Sequence, residues 1–451
     1  MKLSILLVLT ALFMLVNGFQ NPALLYIGYL WASILYPTAF SDTIVSLSQV
    51  FGIAALLGYA FIDKKEKGSL PIVFYVAIFF AVWVTLTSFS AERPSQEVWA
   101  KWNWAIQSIL IVVAMPLFLR TRVQIETAFI AVFSALAAHT MTAGIKATFG
   151  TAGYDRLGRL MMNNFWLGET STLSLAAILS IPMAYYILEH SLMLDEYRER
   201  YRLALRVMFG LYVAIAIECM IGTSARTGVF ALAVLLTFGA KSFLKKALIM
   251  LGAVAIFYVA QPYMTGRSLA RYNTITTYKQ DSSATTRIAV WGWAIRYAQE
   301  HPLGGGFGLF NGAVVDFKTE DANGQITTAR RVGTAAHSIY FEVLGEQGYP
   351  GIFLFLLGIV TAMFGTYRIS RIPQDKKKPL WHIALARSLF VSMMIFVVSA
   401  SFVGIAFQPL LYTMLGFYSS VYRAVRRERI AQPKFSAKLA LPDQIPNQAR
   451  A

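Results

Sequence analysis

Runs of about 18 or more mostly apolar residues recur along the chain, and no other feature restricts its fold so strongly. A soluble core has no room for so many separate apolar runs. Each run is long enough to cross a bilayer as a helix, which satisfies its own backbone hydrogen bonds. Of the 451 residues, 57% are hydrophobic and only 14% charged, against about 25% charged in an ordinary soluble protein. The sequence predicts an all-α polytopic membrane protein.

Spans are expected over about 44–62, 70–90, 99–119, 123–149, 169–189, 203–222, 226–240, 243–262, 338–366, 383–402 and 405–422. Basic clusters orient them. Lys64 to Lys67, Arg120 with Arg122, Arg198 to Arg202, Lys241 to Lys246, Arg368 to Lys378 and Arg423 to Arg429 all fall on one side if the spans alternate. Positive charge marks that side as the cytoplasm. The first 40 residues then cross an odd number of times, and their runs Leu3–Val16 and Ala23–Tyr36 are each short for a full span. About 12 passes result, with both ends inside. Lys2 before Leu3–Val16 resembles a signal peptide, but no clear small-x-small cleavage site follows, so retention is expected.

The chain thus divides into an amino-terminal bundle of about nine passes, 1–262, a large exported loop, 263–337, three further passes, 338–422, and a cytoplasmic tail, 423–451. The loop falls between the ninth and tenth spans and is expected to be partly helical. Net charge is +17. Much of the excess sits in short loops and the tail, where it sets topology, so nucleic acid is not an expected partner. The exported loop is also basic, and topology does not demand that. A basic surface beside a bilayer fits an anionic ligand such as a lipid phosphate. Cys219 is the single cysteine, so no internal disulfide forms. The sequence has no zinc spacing, Walker loop or internal repeat.

Candidate chemistry clusters in and around that loop. His337 stands where the chain re-enters the membrane, on one helical stripe with Phe341, Leu344 and Gly348. Imidazole titrates near neutrality and takes a proton from a hydroxyl; a helix-start histidine bound to backbone is the competing reading. Arg226 follows the turn Gly222-Thr223-Ser224-Ala225, and its planar fork suits phosphate as well as it suits anchoring to head groups. Arg287 opens an aromatic helix, where the dipole favours anions. Arg296 lies nine residues on, roughly 180° around that helix, and is expected to face away. His301-Pro302 ends the helix before Gly304-Gly305-Gly306-Phe307-Gly308, a turn whose glycines also let backbone approach a ligand. Glu169 and Glu218, at or within spans, are acids of possible function. His139, deep in a span, reads as a buried hydrogen-bonder.

Thr286-Arg287 with Trp291, Pro302, Gly304-x-Gly306-Phe307-Gly308, His337-Ser338-x-Tyr340 and Leu344-x-Glu346-x-Gly348-x-x-Gly351 together resemble the signature region of the O-antigen ligase and polymerase superfamily. Thr223-Ser224-x-Arg226 resembles its earlier arginine turn. The amino-terminal half resembles the exosortase-associated branch, often labelled an O-glycosylation ligase. The resemblance implies a GT-C-like membrane fold in the bacterial inner membrane with its site facing the periplasm. It implies cofactor-free, metal-independent, inverting transfer of a glycan from undecaprenyl diphosphate to lipid A-core. His337 would be the general base, and Arg226 and Arg287 would hold the diphosphate. Arg296, Gly304, Gly306 and Tyr340 are further candidates for substrate contact. A polymerase or a protein oligosaccharyl ligase would share the donor site. A flippase would instead show inverted repeats and broken mid-membrane helices.

Overall fold

A computed structural model describes residues 15–18, 21–36, 46–61, 69–149, 166–239, 282–320, 326–373 and 380–431, with a few helical residues between 244 and 255. The basic residues of the clusters 64–67, 241–246 and 374–378 and most of the span expected at 243–262 lie outside the described residues, as does the loop before Ser282.

The helices follow the apolar runs. They are α1 Pro22–Leu35, α2 Leu47–Phe61, α3 Ile72–Phe89, α4 Gln96–Phe118, α5 Arg122–Phe149, α6 Thr170–His190, α7 Arg202–Gly222, α8 Arg226–Val234, α9 Ser282–Glu300, α10 Ile339–Ser370, α11 Trp381–Ser399 and α12 Pro409–Ala431. Among the described residues seven helices are long and apolar enough to cross a membrane, α3 to α7, α10 and α11, and α1, α2 and α8 are shorter apolar helices. This is an all-α polytopic membrane protein. Apolar side chains cover its outside, as a lipid-facing surface requires: Phe79, Leu86 and Phe89 on α3 and Phe353, Val360 and Phe364 on α10 are all exposed.

Helix α6 runs through the middle, packed against α5, α7, α8 and α11. Its Tyr186 meets Phe129 of α5 edge-on at 5.4 Å, and Phe129 meets Phe417 of α12 at 5.2 Å. All three rings are fully buried. His139 is buried too, with Nε2 2.9 Å from the Leu35 carbonyl, so it is the interior hydrogen-bonder the sequence predicts.

Helix α10 is not continuous. Gly348 adopts φ 64°, ψ −166°, and Pro350 follows it. The break is where the chain after α9 docks. Gly305 and Gly306 donate their amides to the carbonyls of Gly345 and Glu346 at 3.0 and 2.8 Å, and Tyr349 donates to the Pro302 carbonyl at 2.9 Å. The Trp83 indole of α3 takes up the Gln347 carbonyl at 2.8 Å. The kink thus frees backbone groups that the 302–306 segment and α3 satisfy.

The segment between α9 and α10 also holds a feature not expected from the sequence. Val314–Glu320 (β1) and Ile326–Val332 (β2) form an antiparallel hairpin, with Asp316 opposite Arg330. The side chains of that pair meet at 2.8 Å on an exposed surface. The loop is therefore part helix and part hairpin, with β1 against α9.

Candidate active site

The bundle has two unlike ends. One gathers basic turns: Arg427 donates to the Arg120 carbonyl at 3.2 Å, Arg122 to the His190 carbonyl at 3.1 Å, and Arg198 to the Leu188 carbonyl at 3.0 Å. The other gathers the start of α4, α6, α8 and α10, together with α9 and the segment after α11. The candidate residues lie at this second end.

His337 precedes α10 and has φ 46°, the left-handed region that a non-glycine residue seldom occupies. Backbone strain of this sort persists only where surrounding structure over-determines it, and it gathers at functional sites. The residue is half-buried. Burial holds its imidazole below the ordinary range, the Arg287 charge pushes the same way, and Glu342 pulls it back. The group is consequently neutral at pH 7, the form that accepts a proton.

Ser224 shares the unusual backbone, with φ 54°. It sits in the turn between α7 and α8. Thr223 closes that turn by donating its hydroxyl to the Met220 carbonyl at 2.7 Å, and Arg226 becomes the first residue of α8. Helix α8 starts hard against α6: a side chain at Gly228 would collide with the Ser174 hydroxyl. Arg226 is thereby set beside the first turns of α6. At the head of α6 stands Glu169, its side chain open to solvent. The surrounding protein pulls its carboxyl upward and Arg287 opposes that pull; solvent access tempers both. Arg287 therefore acts on Glu169 and on His337 together.

Aromatic packing brings the same residues together independently. Phe230, Trp291 and Phe341 stand one turn after Arg226, Arg287 and His337 respectively. Phe230 stacks on Phe402 at 4.9 Å, Phe402 meets Trp291 at 6.2 Å, and Trp291 stacks on Phe341 at 5.0 Å. The Trp291 indole also donates to the Ala336 carbonyl at 2.8 Å, pinning α9 to the residue before His337. One line of rings thus registers α8, α9 and α10, with Arg226 opening α8, Arg287 in the second turn of α9 and His337 just before α10.

Polar capacity at this end is left over. The hydroxyls of Ser224 and Ser338 and of Ser174 are buried without a hydrogen-bond partner among the described residues. Ser224 is itself a left-handed residue, and Ser338 directly follows another, His337. Buried hydroxyls normally find partners, so this is where a polar ligand would be accommodated.

The remaining sequence candidates have other surroundings. Arg296 is exposed on α9. Gly304 and Gly306 have φ 86° and 74°, and both are committed to packing. A Cβ at Gly304 would collide with the Gly348 amide, and one at Gly306 would lie 2.6 Å from the Thr87 carbonyl. Tyr340 donates to the Val397 carbonyl of α11 at 3.0 Å. Glu218 is buried near the end of α7.

The sequence analysis missed one group. Lys101 of α4 reaches Glu342 at 2.8 Å and Glu346 at 2.9 Å, on successive turns of α10. Both carboxylates are buried, with Phe307 and Phe407 flanking the ammonium at 5.3 and 5.5 Å. Two acids four residues apart at the head of a membrane helix were the available signal; their partner is 241 residues away for Glu342.

Comparison with known families fits this layout. Residues 211–356 match the O-antigen ligase family. That segment contains Arg226, Arg287, His337, Glu342 and Glu346. The match supports glycosyl transfer of the ligase or polymerase kind. Residues 2–192 match a family of unknown function, DUF5935, and this segment supplies Lys101 and Glu169. No curated protein matches the chain.

Proposed function

We propose that the protein is an O-antigen ligase that moves a glycan from undecaprenyl diphosphate to lipid A-core at the periplasmic face of the inner membrane. The observation that carries this reading is the neutral, strained His337 beside Arg287 within the segment matching the ligase family.

The acceptor hydroxyl gives its proton to His337 as its oxygen attacks the anomeric carbon. The bond from that carbon to the diphosphate oxygen breaks, and undecaprenyl diphosphate leaves with the electron pair. A single displacement of this kind inverts the anomeric centre. Arg287 and Arg226 hold the diphosphate and balance the charge that grows on it, with the start of α8 adding its dipole. Arginines in these positions do the work of a divalent ion, so transfer is metal-independent. Arg226 and Arg287 are also suited to the role by their forked donors, which match two phosphate oxygens at once. The unpartnered Ser224 and Ser338 hydroxyls supply further donors.

The test is to incubate the purified protein with an undecaprenyl-diphosphate glycan and lipid A-core, and in parallel with a second lipid-linked glycan as acceptor. Glycosylated lipid A-core, formed equally in EDTA, is the expected product. Longer lipid-linked glycan instead would make the protein a polymerase. Loss of transfer in EDTA, restored by magnesium or manganese, would contradict the role given to the arginines.

A further inference from the structure

The two segments that match separate families meet in one buried ion cluster. Glu342 lies five residues after His337, and its amide donates to the Ser338 carbonyl at 2.9 Å. One carboxylate oxygen takes Lys101 at 2.8 Å. The other takes the Ala406 amide at 3.1 Å. The chain just before Ala406 is caught between Glu342 and the histidine: a Cβ on Gly404 would lie 3.6 Å from Glu342 Oε2 and 3.7 Å from the His337 nitrogen, both ordinary contacts. Glu342 therefore ties α4, the first turn of α10 and the 403–408 segment around the His337 backbone. Nearby, Glu92 donates its amide to the Gly305 carbonyl at 2.9 Å, and Thr87 donates its hydroxyl to Gln347 Oε1 at 2.5 Å, so α3 and the turn after it clamp the same region.

We propose that Lys101, contributed by the amino-terminal half, keeps Glu342 ionised and in place, and that Glu342 is the positioning residue and counter-charge for His337. The amino-terminal segment then has a defined task in the chemistry: it supplies the cation that sets the electrostatics of the base. A buried carboxylate deprived of its cation takes up a proton rather than stay charged. A carboxylate near the imidazole favours the imidazolium formed on proton uptake. The charged groups facing His337 are Arg287 from α9 and Glu342 from α10, with Glu169 at the head of α6 acting on Arg287 and Arg226 opening α8. Residues 403–408 bring no charged side chain.

The consequence for catalysis rests on His337 being the base, so the test reads the histidine directly. The full-length protein in lipid nanodiscs is labelled with carbon-13 at histidine Cε1, and His337→Gln identifies its signal among the five histidines. Glu342→Gln should lower the His337 titration midpoint by about one pH unit, the scale of losing a nearby opposite charge. Lys101→Met, made together with Glu346→Gln so that Glu342 is the one carboxylate of the cluster left to take up a proton, should lower it similarly. Adding Glu342→Gln to that pair should change nothing further, the sign of residues acting through one another. Lys101→Arg should leave the midpoint unchanged. An unmoved midpoint in folded Glu342→Gln overturns the proposal by itself, even if Lys101→Met with Glu346→Gln fails to fold. An upward shift in that paired variant overturns it as well. The acid limb of kcat/KM for transfer is measured on the same variants. If the titration moves and the limb does not, the electrostatic link stands and His337 is not the base.

Discussion

At the basic end of the bundle, Glu126 is almost fully buried and every oxygen is used: it accepts from Arg122 at 2.8 Å, from Tyr186 at 2.8 Å and from the Leu192 amide at 2.7 Å. Arg198 beside it donates to two carbonyls and to Asp195. At the opposite end, Ser224 and His337 hold left-handed backbones, and the buried hydroxyls of Ser174, Ser224, Ser338 and Ser399 lack partners among the described residues; Ser420 of α12 is a further one outside this end. Helices α4, α6 and α10 to α12 pass close to both ends, so the contrast is local. Saturated networks lock packing; left-handed backbone and unfilled hydroxyls also occur singly, at Tyr36 and Ser420 respectively, and it is their coincidence at one end that marks the place where a ligand completes the structure. Lys101 with Glu342 and Glu346 is the exception at the site end, a saturated network placed directly under the strained residue.

Substitutions at the two ends should therefore fail differently. Glu126→Ala leaves the buried Tyr186 hydroxyl and the Leu192 amide without their acceptor and should cost about 1–3 kcal/mol of stability, the scale for stranding a buried hydrogen-bonding group. A drop in unfolding temperature with unchanged turnover per folded molecule is expected; lost turnover without lost stability would erase the contrast. Arg287→Ala and Arg226→Ala should each remove about 2–4 kcal/mol of transition-state stabilisation, seen in kcat/KM, at nearly unchanged unfolding temperature. Lysine should restore only part of it. Arg296→Ala should stay near wild type; an equal loss there would mean that α9 presents another face to the substrate.

Acidity separates the ends too. Because burial and Arg287 hold His337 below the ordinary imidazole range, kcat/KM should fall only as pH drops through a midpoint below about 6.5. The sign for stability is the same: the unfolded chain binds the proton more readily, so stability from this residue is whole above its unfolded pKa and declines as pH falls towards the folded one. An acid limb above neutrality would contradict the neutral base. The smallest effect is expected at Ser224→Gly. It relieves a left-handed backbone and removes an unpartnered hydroxyl, for a gain of about 1 kcal/mol in unfolding free energy and weaker donor binding. A loss of stability would show that the serine is held by contacts, not strained.

Most helices were legible because an apolar run long enough to span must form its own backbone hydrogen bonds; the expected 203–222 and 169–189 differ from α7 and α6 by one residue or so at either end. His337, Arg226 and Arg287 were legible because each interrupts an apolar pattern at a span boundary. The Lys101 cluster was not, since nothing local links α4 to a helix more than 200 residues later. The hairpin was missed although Asn323-Gly324 between alternating residues is a turn signature. The glycine run was half-read: its closeness to backbone is real, but the nearest backbone belongs to α10 and α3.

The central claim is that the site end is strained and unfilled for the sake of proton transfer by His337. The most direct measurement is single-turnover transfer beside donor binding, on matched preparations of wild type, His337→Ala and His337→Gln. Both variants should unfold at the wild-type temperature or above and bind the lipid-linked donor. Both should transfer about 10²–10⁴-fold more slowly, because neither alanine nor an amide accepts the acceptor's proton. Transfer by folded His337→Ala at near the wild-type rate would contradict the account, leaving His337 a helix-start residue and Glu169 the first carboxylate to examine.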